Sequence, residues 1–338
     1  MAAYLIRRVG LSALVVAGVV CLTFVIARVI PGDPAAGWAG PRASAAQLAE
    51  ARHSLGLDRP LAVQIVAYFK GVVTGDWGIS IHTHRPVLSD ILGALPASLE
   101  LVIAAILLGL VIGVPLGLIA ARWSGRLVDH LVRTSAVFAV SLPAFWLALM
   151  LQVVFVQHLH LLPAAGEYAV GLQYSHPLTS FTGAPVVDAL ITGNWQVLAS
   201  ALTHLILPAV IIGSYPVGVV ARMVRARLLD VSGETHTQMV RSLGFSERAV
   251  LSRFSLRLAW SPVAQVIALV FAYSLVNTFL VEAVFDWPGL GSYAAASIIS
   301  LDTPAIVGIT LLIAFVYVAA NLAVDLVQAA LDPRIRLR

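Results

Sequence analysis

The chain has 338 residues, 59% hydrophobic and 11% charged, with a net charge of +4, one cysteine and a mean hydropathy of +0.92. So few charges, against roughly 25% in soluble domains, beside apolar runs near the ~20 residues that cross a bilayer, set the soluble classes aside. The lone Cys21 excludes an internal disulfide and a cysteine-rich metal site.

Six apolar spans are predicted in an all-α polytopic membrane protein. The first covers about 9–30, behind Arg7 and Arg8. It is too long for a signal-peptide core and lacks a convincing cleavage site, so it stays as a helix. Residues 31–96 form a long segment with helix signals of their own. Ser44 with Gln47 fits a capping box, Leu48, Arg52 and Leu55 share a face, and Gly56 supplies a stop. Pro60 suits a first helical position, and Leu61, Ile65, Phe69 and Val72 make an apolar stripe. Short helices lying on the outer membrane face are expected here.

The remaining spans are predicted at about 97–121, 131–158, 200–224, 259–281 and 304–331. Prolines 115, 143, 208, 216 and 262 fall in or beside them and predict kinks. Charge sets the orientation. Fifteen of the 21 basic residues lie in four segments of one side: Arg7 and Arg8; Arg122, Arg126 and Arg133; seven arginines between 222 and 257; and Arg334, Arg336 and Arg338. Loops 159–199 and 284–303 have none. By the positive-inside rule both termini are cytoplasmic.

Much chemistry is missing. Lys70 stands between Tyr68-Phe69 and Gly71, so no P-loop exists, and HExxH, CxxC and GxSxG do not occur. His82 and His84 read as a solvated loop pair rather than a metal site. A membrane hydrolase would need a serine or histidine constellation at midplane depth. An ion-driven carrier would be expected to hold carboxylates there, whereas Glu282 and Asp286 fall at an outer end and Asp325 towards an inner one. Gln152, Gln265, Asn277 and Asn321 are the polar residues in the spans; they either hydrogen-bond helix to helix or line a pathway.

The inner loop holds the most informative stretch, residues 234–257, ETHTQMVRSLGFSERAVLSRFSLR, with four arginines and a central Gly244. Glu234–Leu243 predicts a short helix with an acidic start, Gly244 its C-terminal cap and Ser246 the next N-cap. Val250, Leu251, Phe254 and Leu258 then make an interfacial stripe running into the fifth span. A basic loop that only enforces topology and a rigid helix–glycine–helix lever both fit this pattern.

At this point the chain resembles a family: the membrane permeases of ABC-type importers in the dipeptide/oligopeptide group, in particular the first (B-type) of the paired permeases. The inner loop is similar to that family's EAA loop, with Gly244 at its glycine and Pro262 eighteen residues on. Gln238, Met239 and Val240 depart from the usual EAA side chains, and Leu243 replaces the usual lysine. YLIRRVGLSAL, RVIPGDPA, LGLDRPLAVQ, GDWGIS, LPASLEL, IGVPLG, SLPAFWLAL, LLPAAG, VEAVFDWPGLG and NLAVDLVQAALDPRIR follow in family order over nearly the whole chain.

The resemblance implies an ABC type I importer permease fold of the bacterial cytoplasmic membrane. It divides the chain into an N-terminal segment with the first helix (1–30), an extracytoplasmic helical segment (31–96) and a core of five helices (97–338) with a cytoplasmic coupling loop at 225–258. It implies a transport subunit, not an enzyme, with no cofactor of its own; ATP and magnesium belong to partner ATPase subunits. The implied partners are a second (C-type) permease, two ABC ATPase subunits or one fused ATPase, an extracytoplasmic substrate-binding protein and the lipid bilayer, without nucleic acid. The implied ATPase-coupling residues are Glu234, Thr237, Gln238, Val240, Arg241, Ser242, Leu243 and Gly244. Gln265, Tyr273 and Asn277 are expected on the pathway, and Asp58, Asp76, Glu167 and Asp188 at the binding protein. The family's cargo includes dipeptides, longer peptides, nickel and glutathione.

Overall fold

The computed structural model describes residues 2–29, 34–40 and 42–331, so 30–33 of the RVIPGDPA stretch and the terminal Arg334, Arg336 and Arg338 lie outside the described residues. The fold is all-α; among the described residues the one extended pairing is an isolated bridge between Ile79 and Pro86. In chain order the first helices are α1 (Ala2–Val29), α2 (Pro34–Ala39), α3 (Ala45–Ser54) and α4 (Leu61–Thr74). Then α5 (Val87–Leu108) continues through a π-helical turn (Gly109–Gly113) into α6 (Val114–Arg122). Next come α7 (Leu127–Ser141) and α8 (Ala144–Leu151), which runs on into a π-helical stretch (Gln152–His158). They are followed by α9 (Val170–Ser175), α10 (Pro185–Thr192), α11 (Trp195–Ser232), α12 (Thr235–Ser242) and α13 (Glu247–Ala249). A third π-helical turn (Val250–Ser255) leads into α14 (Leu256–Phe285), and α15 (Leu290–Ile299) and α16 (Thr303–Leu331) close the chain.

Four described stretches are long and apolar enough to cross a bilayer: Val87–Arg122, Trp195–Ser232, Pro262–Phe285 and Thr303–Ala323. The pair Leu127–Ser141 and Ala144–His158, bent by 100°, makes a fifth if it acts as one span. The expected third span is therefore broken. Leu142 is extended (ψ 132°), as a residue before proline tends to be, and Pro143 starts the new direction. The expected second span starts ten residues early, because Pro96 sits inside α5 without ending it. In α1 the described apolar stretch is Gly10–Val25, and α1 lies along α16.

The outer segment folds as its local signals predict. Ser44 and Gln47 form the reciprocal capping box, with Gly56 at φ +62° just beyond the α3 cap. In α4, Tyr68, Phe69 and Val72 pack into the cluster built on Val20, Trp77, Val87, Ile91 and Leu311. The segment is thereby docked on the bundle rather than only resting on the membrane.

Helix α11 is the axis, packed against α5, α6, α7, α8, α10 and α14. Its approach to α6 depends on the IGVPLG stretch. A Cβ on Gly113 would stand 2.9 Å from the Val217 carbonyl oxygen, and one on Gly117 2.7 Å from that of Ala221. Small residues four apart let two backbones meet, the usual device where lipid offers no hydrophobic drive between helices. Above them Leu101, Ala105, Leu205, Ile211, Phe285 and Trp287 form the main core.

The C-terminal end of α14, expected on the outer side, is bolted down. Glu282 is fully buried and accepts from Ser98 Oγ (2.6 Å) and from the amides of Gly291 (2.7 Å) and Ser292 (3.3 Å). Ser98 Oγ accepts from Leu290 N, and Trp287 Nε1 donates to the Ala97 carbonyl (3.0 Å). The WPGLG turn, opened by Asp286 at φ +48°, is therefore a structural corner joining α5, α14 and α15.

Candidate coupling segment between α11 and α14

The inner connection follows from local rules. Gly233 caps α11, and α12 runs for eight residues to Ser242. Leu243 closes the helix, and Gly244 turns the chain at φ +84° with no atom within 4 Å of a would-be Cβ. The requirement for glycine is thus conformational rather than steric crowding. Ser246 Oγ then accepts from Ala249 N (3.4 Å) and starts α13.

One side chain holds the segment together. Arg241 makes two hydrogen bonds to the Glu247 carboxylate (3.1 and 2.7 Å) and a third to the Ser232 carbonyl (2.8 Å). It joins the end of α11, the last turn of α12 and α13. The hydrogen-bonded Arg241 guanidinium holds the Glu247 carboxyl below its usual range. Phe245 meets Phe254 edge to face at 5.2 Å, and the buried Val250 and Leu251 seat the π-helical turn that continues into α14. At the base of α11, Arg225 pairs with the buried Asp129 through two bonds (2.5 and 2.7 Å), fastening α7 to the same end.

The expected coupling residues divide by exposure. Glu234, Gln238, Ser242, Leu243 and Gly244 are exposed, Val240 and Arg241 half-buried, and Thr237 buried. Met239 (64% exposed), Leu243 (66%) and Phe245 (47%) form an apolar knob on a polar segment. Met239 and Phe245 were not among the expected coupling residues; for Met239 the i, i+4 spacing to Leu243 was the signal.

The expected pathway residues share one face of α14. Gln265, Tyr273 and Asn277 lie on it with the exposed Leu269 and Leu280. The Tyr273 ring stands 4.4 Å from that of Tyr215 on α11, a residue the sequence reading did not single out. Asn277 donates to its own helix, at the Tyr273 carbonyl (2.9 Å), and Asn321 likewise at Tyr317. Gln152 instead straps the outer loop, donating to the carbonyls of Ala164 (2.8 Å) and Val284 (3.3 Å).

Of the four outer acids, Asp58 is exposed and paired with His53 at 2.9 Å, and Asp76 is exposed and accepts from Gly78 N. Asp188 is buried, its oxygens taken by Thr182 and Gly183, so it shapes its loop. Glu167 is half-buried; burial first, then the charges of Glu100 and Glu282, push its carboxyl up to about 7. No group of three or more His, Cys, Asp or Glu suited to a metal ion occurs among the described residues.

Comparison with known proteins agrees across the chain. Residues 113–337 match the family described as "Binding-protein-dependent transport system inner membrane component", and residues 1–102 match its N-terminal membrane-component family. The chain is 43% identical over 322 residues to the probable D,D-dipeptide transport system permease DdpB of Escherichia coli K12, covering 95% of this chain and 94% of that protein. Identity to the dipeptide permease DppB of the same strain is 35% over 339 residues, 99% of each. For the glutathione permease GsiC of Salmonella typhimurium it is 34% over 320 residues, 95% and 94% of the two chains.

Proposed function

We propose, from the premise that this chain belongs to the inner-membrane components of binding-protein-dependent transport systems, that it forms half of an ATP-driven import pathway for short peptides. It is a multi-pass permease subunit of the bacterial inner membrane and not an enzyme. Relatives named for a D,D-dipeptide, for dipeptides and for glutathione support peptide cargo over nickel or another small solute. On this reading α1 and the bent α7–α8 pair complete six spans with both termini cytoplasmic, and a C-type permease supplies the other half of the pathway. Two ATPase subunits, or one fused chain, bind ATP and magnesium beneath, and a substrate-binding protein docks outside.

The observation that carries the reading is the segment 235–255. It exposes an apolar knob, and Arg241 fastens it to the end of α11 while its second half runs straight into α14. In the proposed mechanism α12 sits in a cleft of one ATPase, with Met239, Leu243 and Phe245 as the buried contacts. Gln238 and Ser242 form the polar rim and Glu234 lies at the helix start. Thr237 and Val240 support the helix from beneath. ATP binds the closed ATPase pair more tightly than the open one, and that difference in affinity drives the shift. Closure displaces α12, and α11 and α14 follow as bodies. The face of Gln265, Tyr273 and Asn277, with Tyr215, lines the pathway that opens. Outside, Asp58 and Asp76 present charges to the binding protein, while Glu167 and Asp188 hold the shape of the outer loop.

The test is extraction of the tagged chain in mild detergent and identification by mass spectrometry of what accompanies it. Two ATPase subunits and a second permease are expected. A chain that purifies alone, from cells expressing those partners, would return 235–255 to a basic topology loop.

A further inference from the structure

Beside the coupling segment, the end of α6 and the start of the α13–α14 connection border an open cavity of about 370 Å³. Its wall has two tiers. Pro115, Leu118 and Leu251 are apolar; Arg122, Arg248 and Ser252 are polar, with Trp123 beside them. From Pro115 to Arg122 the helix rises about 10 Å, so the apolar tier lies deeper along the span than the arginines. Tryptophan and arginine at a span end mark headgroup depth. Ile119 also lines the cavity, and Val111 and Ile112 continue from it as exposed apolar surface along the same span.

Among the described residues the two guanidiniums at the cavity have no ion-pair partner, although the Arg122 charge acts on the nearby Glu247 carboxylate. No carboxylate lines the wall among the described residues. Arg122 lies 5.3 Å above the Trp123 ring. The nearby Glu247 is already engaged by both of its bonds to Arg241.

We propose that this cavity binds an anionic glycerophospholipid of the cytoplasmic leaflet, a placement that rests on the orientation given under the proposed function. The two guanidiniums take the non-bridging oxygens of the headgroup phosphate, while the Ser252 hydroxyl donates to the Arg248 carbonyl (2.7 Å). The glycerol and first methylenes lie on Leu118 and Leu251, and the chains leave over Ile119, Ile112 and Val111. A free phosphate would need the arginines but not the apolar tier, and basic pockets at this depth are suited to acidic headgroups. The bound lipid would join α6 to the second half of the coupling segment and so stiffen the lever.

The experiment uses the chain purified with whatever subunits accompany it, delipidated and titrated with phosphatidylglycerol or phosphatidylcholine of matched chains. Bound lipid is counted by native mass spectrometry. Phosphatidylglycerol is expected to bind in preference. Each of R122Q and R248Q should weaken it about fivefold, and both together about thirtyfold, with phosphatidylcholine unchanged. Millimolar inorganic phosphate should not displace it. Equal binding of the two lipids, an unaffected double variant, or displacement by phosphate would overturn the proposal. So would efficient cross-linking of S252C to an ATPase or second permease, which would mean that protein covers the cavity. Absence of ATPase subunits with the lipid preference intact would contradict the coupling reading alone and leave the lipid site standing.

Discussion

The two ends of α14 are built on opposite plans. At its C-terminal end, Glu282 is buried and meets three donors, and Trp287 and Ser98 tie the corner to α5. At its N-terminal end, the segment feeding the helix is mostly exposed, carries an apolar knob and is tied to α11 by Arg241, with Val250 and Leu251 seating its second half. A network of satisfied buried groups resists local change, whereas a mostly exposed segment can be pushed as a unit. On the proposed mechanism force enters at the exposed segment and is resisted at the buried corner. A displacement at 235–255 would then reach the far side by moving whole helices, because the buried corner resists local change.

The largest effect should come from breaking the outer corner. Glu282→Ala leaves the Ser98 hydroxyl and the amides of Gly291 and Ser292 without their acceptor, at about 1–3 kcal/mol for each buried group left unpaired. Thermal melting in detergent should drop sharply and little folded chain should be recovered; a variant of normal stability would mean that the corner is not a lock. At the inner end the expected phenotype is different. Arg241→Ala should leave insertion and partner recovery intact while peptide uptake falls about tenfold, the equivalent of about 1.4 kcal/mol of lost coupling. Uptake per ATP hydrolysed, measured in proteoliposomes, separates the two cases.

Gly244→Asp tests the turn alone. With open space around the position but φ at +84°, the cost is the left-handed backbone, about 1–2 kcal/mol. Normal insertion with a several-fold loss of coupling is expected, and unchanged transport would count against the lever. The smallest effect concerns Glu167. Burial lifts its carboxyl from the ordinary range up to about 7, so the folded chain holds a proton there that the unfolded chain has released. Stability of the outer loop should fall as pH rises through that interval. Hydrogen exchange over residues 160–169, corrected for its intrinsic pH dependence, should show more opening at pH 8 than at pH 5. Glu167→Gln should flatten the profile.

How far these two ends could be read in advance depended on range. Signals acting over three or four residues were legible: the Ser44–Gln47 box, the Gly244 turn and the Ser246 cap all form as their side chains dictate. The IGVPLG stretch was legible as a family motif, but its role in close packing needed the partner carbonyls of α11, about a hundred residues away. Pro143 predicted a kink and not a 100° break, since the bend depends on what receives α8. Glu282 looked like a residue at a span end because Ser98, its nearest partner, is 184 positions away. Thr237 facing inward and Met239 and Phe245 facing outward could not be separated by composition; the answer lies in which side of α12 leans on the rest of the loop.

The most direct measurement is site-specific cross-linking at the knob. Leu243→Cys, in a chain with Cys21→Ser, is treated with a short thiol cross-linker in membranes expressing the whole transporter. A cross-link to an ATPase subunit is expected, with a yield that changes when ATP is added and hydrolysis blocked. A knob that cross-links to no ATPase subunit, while the assembled transporter remains active, would contradict it.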